Sequence, residues 1–179
     1  TSITIPSSVN IIESSAFRDC SSITEVVIPS SVTIIEKLAF HKCNSLTKIS
    51  LPSSLIYIGL MAFHGCPSLE ISGDMIYMPK NAFCRCSKLK HITIPSTVET
   101  IGTRAFFDCL SITEILIPPS VKVVQNYAFG NCGSLKKITI SSPDTQLGSS
   151  VFEGCESLEI AGNLSRIKKR TFISSKYLL

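Results

Sequence analysis

The side chains best suited to chemistry in this 179-residue chain are eight cysteines and three histidines. Seven cysteines, Cys20, Cys43, Cys66, Cys86, Cys109, Cys132 and Cys155, recur at intervals of 23 or 20 residues. Thiols so spaced raise three chemistries: disulfides, a metal clip, or buried free thiols. A disulfide needs converging Cβ vectors, whereas residues at one repeat position point in parallel. The reading is therefore a structural ladder of free thiols behaving as small hydrophobes. His41, His64 and Cys84 fall on successive repeats, each one residue after a phenylalanine. All are zinc-ligand types, but a linear stack at roughly 5 Å spacing makes poor tetrahedral geometry. Their row, completed by Arg18, Phe107, Gly130 and Glu153, reads as a variable solvent-exposed strip. No metal and no cofactor are expected, and Cys84, out of register with the ladder, is the thiol singled out for a test of reactivity.

Catalysis finds no motif. There is no Ser-His-Asp order on a strained elbow, no Gly-rich phosphate loop and no HExxH. The serines of the Ile-Pro-Ser-Ser segments are turn formers. An enzyme is not expected.

These side chains are placed by a repeat. Phe17, Phe40, Phe63, Phe83, Phe106, Phe129 and Phe152 share one position with Phe172, at spacings of 23, 23, 20, 23, 23, 23 and 20. A cysteine follows three residues after each of the first seven, and Ser175 replaces it in the last. Ile or Leu stands three residues further on, from Ile23 to Leu178. The two short repeats lie 89 residues apart, as expected from duplication of a four-repeat block. Each long repeat reads as a short strand ended by proline, a serine bend, a second extended stretch, and one tight turn at Ala-Phe-x-x-Cys. Gly59, Gly102 and Gly148 read as turn residues of positive φ. No segment keeps a helical period for three turns, and one repeat is too small to bury its own apolar side, so the repeats must stack.

Composition agrees. With 44% hydrophobic and 17% charged residues the chain supports a core rather than disorder. The balance of 17 basic against 13 acidic residues is too mild and scattered for nucleic acid. No window approaches eighteen apolar residues, so no membrane insertion is expected.

The pattern IPSSV-x-x-I-x-x-x-A-F-x-x-C-x-S-I/L-T-x-I-x-I-P resembles the BspA-like leucine-rich repeat family of bacterial and protist surface proteins, over essentially the whole chain. The resemblance implies one domain, residues 1–179, of α/β repeat class. It would be a β-rich leucine-rich-repeat solenoid, right-handed, of about eight coils, with a parallel concave sheet and short 3₁₀ turns opposite. It also implies adhesion to host or matrix proteins. The outward strand positions form a row, Glu25, Lys48, Glu70, His91, Glu114, Lys137 and Glu159, that alternates acid and base almost throughout. A second row contains Thr93 and Leu116 among small or medium residues. The reading favoured is structural, with the alternating charges satisfying one another between rungs; the alternative is a strip that holds an extended polypeptide, which the absence of large aromatic anchors from both rows weakens. Phe107 and the pair Tyr57 and Tyr77, on a different face, are the aromatic candidates.

Asn163-Leu164-Ser165 is a glycosylation sequon if secreted, and Arg166 with Lys168–Arg170 is a short basic cluster. The chain begins and ends inside repeats without a polar cap, as a fragment of a longer array or a self-associating piece would. Two functions follow: a cell-surface or secreted adhesin or antigen binding host or matrix protein, or a cytoplasmic scaffold presenting a partner such as a phosphatase. Unpaired thiols favour the second; the resemblance favours the first.

Overall fold

The computed structural model describes residues 1–162, which form seven complete coils and the first strand of an eighth. The sequon, the basic cluster, Phe172, Ser175 and Leu178 lie outside the described residues. Every coil contributes two short strands. Those on the first face are β1 (Ser2–Thr4), β3 (Glu25–Val27), β5 (Lys48–Ser50), β7 (Ser68–Ser72), β9 (His91–Thr93), β11 (Glu114–Ile117), β13 (Lys137–Ile140) and β15 (Glu159–Ala161). Those on the second face are β2 (Ile11–Ile12), β4 (Ile34–Ile35), β6 (Tyr57–Ile58), β8 (Tyr77–Met78), β10 (Thr100–Ile101), β12 (Val123–Val124) and β14 (Gln146–Leu147). Alternation in each strand sends one residue inward and the next outward, as in Lys48, Ile49 and Ser50. All pairings are parallel, since each coil returns the chain in the same direction.

A phenylalanine arc closes each coil. Phe40, Phe63, Phe83, Phe106, Phe129 and Phe152 are fully buried, and with Phe17 they stack at centroid distances of 5.0 to 5.9 Å. Each buried ring contributes about 1.5–3 kcal/mol from burial. The arc has its own hydrogen-bond rule. Phe17 and Asp19 donate forward to the C=O of Ala39 and His41 in the next coil, both at 2.8 Å. Between them, Arg18 and Cys20 donate three residues back within their own coil, at 3.0 and 3.2 Å. Alternating forward and backward donors require alternate residues in the left-handed region. Positive φ accordingly sits two residues either side of the phenylalanines: Ser15 and Asp19, Leu38 and Lys42, Tyr127 and Asn131. Each costs about 1–2 kcal/mol for a non-glycine residue, and the inter-coil bonds offset it. The same alternation stops a 3₁₀ run from growing, so the turns opposite the first face are single hydrogen-bonded turns, and no helix occurs among the described residues.

The expected positive φ at Gly59, Gly102 and Gly148 is not found; the left-handed glycines are Gly65, Gly73, Gly154 and Gly162. Close approach of coils explains the first three instead. A Cβ on Gly59 would run into the backbone N of Lys37, and on Gly102 it would lie 2.5 Å from the Met78 carbonyl oxygen.

Two joints between coils are open. On the second face β2-β4-β6 and β8-β10-β12-β14 are separate sheets. At this position Glu36, Gly59, Gly102, Gln125 and Gly148 each donate back to the preceding coil, at 2.7 to 2.9 Å. Coil four has Pro79 there, which has no N–H. On the first face β1-β3-β5-β7-β9 and β11-β13-β15 are separate, although β9 and β11 remain neighbours.

Candidate interaction surface

The first face carries its outward side chains on strands whose inward residues are locked in the core, which fixes their spacing. Glu25, Lys48 and Glu70 stand in register across β3, β5 and β7. The expected row then breaks. Thr93, not His91, faces Glu70, and His91 lies opposite Ser68. The short repeat causes this: β7 starts two residues after Cys66, whereas β5 and β9 start five after Cys43 and Cys86. The strand therefore pairs its second half backward and its first half forward. The slip is two residues, an even number, so no side chain changes face. Beyond the open joint the row resumes as Glu114, Lys137 and Glu159.

The mutual neutralisation expected of this row is sparse. Lys48 and Glu70 approach to 3.9 Å with side chains 59% and 61% exposed, worth no more than about 1 kcal/mol. Among the described residues Glu25, Glu114 and Lys137 close no ion pair within 4 Å. Their charges face solvent.

Where β9 and β11 part, the face holds a trough of about 600 Å³. It gathers Lys48, Glu70, His91, Thr93, Glu114, Leu116 and Lys137. Glu25, on β3, lies outside it. Its floor is apolar, formed by Leu69, Ile92 and Ile115. Ile92 is only partly buried, unlike its counterparts Val26, Ile49 and Ile138, because the unpaired edge leaves it uncovered. Leu116, 58% exposed, stands on the rim. The result is a shallow, largely polar trough between fixed charges of both signs, with Ile92 the accessible part of its floor.

The row following the phenylalanines is not the solvent strip expected. His41 is 8% exposed, Cys84 is 5% exposed and Gly130 is buried. The tight arc brings side chains of adjacent coils over one another. His41 and His64 stack at 5.1 Å, and a Cβ on Gly130 would meet the Phe107 ring at 2.8 Å. Phe107 itself is half-buried and shares Arg104 with Tyr127, each ring 5.4 Å from the guanidinium carbon. It is already engaged and offers no free anchor. His64 Nδ1 sits 2.6 Å from the Arg85 carbonyl oxygen, whereas buried His41 Nδ1 has no partner. Burial, then the His64 ring and the cations Arg18 and Lys42, hold the His41 pKa below 6.5. Among the described residues no three His, Cys, Asp or Glu side chains converge on a metal position.

All eight thiols are unpaired. The Sγ–H groups of Cys43, Cys109, Cys132 and Cys155 donate to the carbonyls of Phe17, Phe83, Phe106 and Phe129, at 3.1 to 3.2 Å. Burial lifts the Cys43 thiol to about 11 and the Cys155 thiol to about 12. Cys84 moves the same way, through burial and then the charge of Asp108. A buried thiol held protonated is a poor nucleophile, so Cys84 is not the reactive exception its position implies.

The model of the BspA type leucine rich repeat region matches residues 1–72 and 67–179. The chain belongs to the BspA-type leucine-rich repeat family. It is similar to the crystal structure of a leucine-rich repeat protein from Eubacterium ventriosum, with 29% identity and a TM-score of 0.69 over 94% of this chain and 46% of that one. It is also similar to the leucine-rich repeat protein of T. pallidum, with 30% identity and a TM-score of 0.61 over 88% of this chain and 78% of that one. The chain thus spans less than half the length of the E. ventriosum protein. No curated protein matches it.

The second face of this BspA-type solenoid is unlike the first. Ile56, Tyr57, Leu60, Ile76 and Tyr77 are 40% to 68% exposed and cluster about the open joint between β6 and β8. Lys37 and Lys80, both exposed, flank Leu60 at the same repeat position. The two tyrosines were legible as candidates; the isoleucines beside them were hidden among many core isoleucines. No helix of the described residues is long and apolar enough to cross a membrane.

Proposed function

We propose that this chain is a non-catalytic protein-binding module of a cell-surface adhesin or antigen that engages host or matrix protein through its first face. The observation that carries the reading is the trough at the β9–β11 joint, where seven outward residues converge over an apolar floor. Solenoids bind with extended faces of this kind. Its occupant is an extended segment with an apolar side chain over Ile92 and charges of both signs beside Lys48, Glu70, Glu114 and Lys137. The scaffold reading drew on the unpaired thiols. That argument weakens, because seven of the eight are buried and burial raises the pKa of each of them, which lowers their reactivity toward oxidants. The test is binding of the purified chain to immobilised matrix proteins, with Lys48→Glu and Lys137→Glu together as the variant. Loss of binding in the double variant, with protease-accessible full-length protein on intact cells, supports the reading. Equal binding by the variant, or protein untouched by surface digestion, overturns it.

A further inference from the structure

The second face carries a charge pattern that is the inverse of one on the first face. At one repeat position across coils two, three and four it presents Lys37, Leu60 and Lys80, all exposed. Neither lysine closes an ion pair within 4 Å among the described residues. The second-face carboxylates of coils two and four are already engaged. Glu36 accepts from the Ser14 N–H at 2.9 Å, and Asp74 accepts from the N–H and hydroxyl of Ser53 at 2.7 and 3.0 Å. In the same coils Ile56, Tyr57, Ile76 and Tyr77 are exposed, whereas their counterparts Thr33, Ile34, Glu99 and Thr100 are half-buried. An exposed apolar patch with a polar rim of this kind marks an interaction site.

The first-face trough has the opposite signs. Across coils four, five and six it presents Glu70, then Thr93 beside the uncovered Ile92, then Glu114. Glu70 holds only its exposed 3.9 Å contact with Lys48, and Glu114 has no ion pair among the described residues. The two lysines and the two carboxylates are thus each two coils apart, about 10 Å at parallel-strand spacing, with an uncharged residue midway. Glu114 is the repeat counterpart of His91 rather than Thr93. It therefore stands two residues along the strand from Glu70, a step of about 6.6 Å that a lysine side chain spans. One coil beyond Lys37 is the exposed Glu13, and one coil beyond each trough carboxylate is a lysine, Lys48 or Lys137.

We infer that the second face of one copy of this chain docks on the first-face trough of another. Lys37 and Lys80 meet Glu70 and Glu114, and Leu60 covers Ile92. Glu13 falls on Lys48 or Lys137 whichever way the second copy lies, because the order of charges in the trough is symmetric. The two surfaces differ, so the contact is heterologous and does not close: it builds chains of copies rather than a dimer. Fewer side chains meet than the roughly 20–30 residues a side of a standard interface, so each contact is weak and gains strength when copies are arrayed together. The inference goes beyond the first-face reading, in which the same trough takes a matrix segment; the last copy of each chain keeps its trough free for one.

The test exchanges charges between the faces and reads mass by sedimentation equilibrium from about 10 μM to about 1 mM, where contacts of micromolar to millimolar strength form. The mass of the parent chain should rise with concentration past that of a dimer. Lys37→Glu with Lys80→Glu, and separately Glu70→Lys with Glu114→Lys, should each remain monomeric; all four residues are exposed, so the core is untouched. An equimolar mixture of the two variants should associate again, because the acidic patch of one meets the basic trough of the other. A parent chain monomeric throughout, a mixture that stays monomeric, or a dimer that survives Glu70→Lys with Glu114→Lys would each overturn the inference. So would sedimentation with phosphatidylserine vesicles in place of self-association. Capture of matrix protein by Lys37→Glu with Lys80→Glu should be unchanged. A parent chain that captures matrix protein yet stays monomeric sinks this inference alone, and one that associates without capturing it sinks the first-face reading alone.

Discussion

The joint between coils one and two and the joint between coils three and four use the same repeat positions, yet only one closes fully. In the first, Phe17 and Phe40 stack at 5.0 Å and 5° while Phe17 N–H bonds to Ala39, Asp19 to His41, and Glu36 to Ile12. In the second, Phe63 and Phe83 remain 5.3 Å apart but tilt to 28°, and β6 and β8 do not pair. The first-face strands β5 and β7 stay joined there. Apolar stacking therefore holds coils together without the full backbone ladder: at this joint both the second-face pairing and the forward arc bonds of Phe63 and Gly65 are missing. The second opening, between β9 and β11, lies on the opposite face and there forms the trough. The candidate binding surface of the first face sits where the solenoid fails to close.

The largest expected effect compares the phenylalanines themselves. Phe106→Ala, at closed joints of the arc, should cost about 3–5 kcal/mol, measured by urea unfolding. Phe63→Ala should cost less, since the open joint lets its neighbours relax into the space. Equal losses would mean that the two joints are mechanically alike. Next, Pro79→Gln restores the donor present at the five equivalent positions, and closure with Ile58 should add about 1 kcal/mol of stability. An unchanged midpoint would place the cause of the opening in the shortened coil alone.

A pH effect belongs to the closed region. The buried His41 imidazole has its pKa below 6.5 in the folded state, through burial first and then His64, Arg18 and Lys42, with Asp19 opposing. The unfolded chain therefore binds more protons near pH 6. The contribution of His41 is complete above about 6.5 and is lost as pH falls through the folded pKa. Urea midpoints at pH 7.5 and 5 should differ less in His41→Gln than in the parent chain, and an equal difference would contradict the assignment. The smallest effect is on the first face. Lys48→Ala removes an exposed pair and should change stability by no more than about 1 kcal/mol while weakening capture of matrix protein.

Much of this was legible in the chain. The phenylalanine and cysteine ladders were, because one repeat position becomes one rung and in-register rungs touch. The left-handed positions were not. Leu38 and Tyr127 carry no local signal for positive φ, which inter-coil hydrogen bonds impose. Glycine was the misleading sign: Gly59 and Gly102 are small because backbone passes beside them. The register of His91 was misjudged because repeats were aligned on phenylalanine, whereas the coil of Phe63 begins its next strand early, at Ser68. The burial of His41 and Cys84 arises from contact between adjacent coils, which no single repeat displays. Pro79 did carry a readable signal, a missing N–H at a position where the other coils use one.

Native-state hydrogen exchange tests the central claim, that the backbone ladder between coils is interrupted at two joints. These are the β9–β11 joint and the joint of coils three and four, where β6–β8 pairing and the forward bonds of Phe63 and Gly65 are both missing. The amides of Ile76 and Tyr77 at one opening and of Glu114 at the other should exchange rapidly. Their equivalents Ile56, Glu99, Lys122 and Lys137, which bond to the preceding coil at 2.8 to 3.2 Å, should be protected. Protection of Ile76, Tyr77 and Glu114 equal to that of these equivalents would mean that the solenoid is closed throughout, and the first-face trough would lose its physical basis.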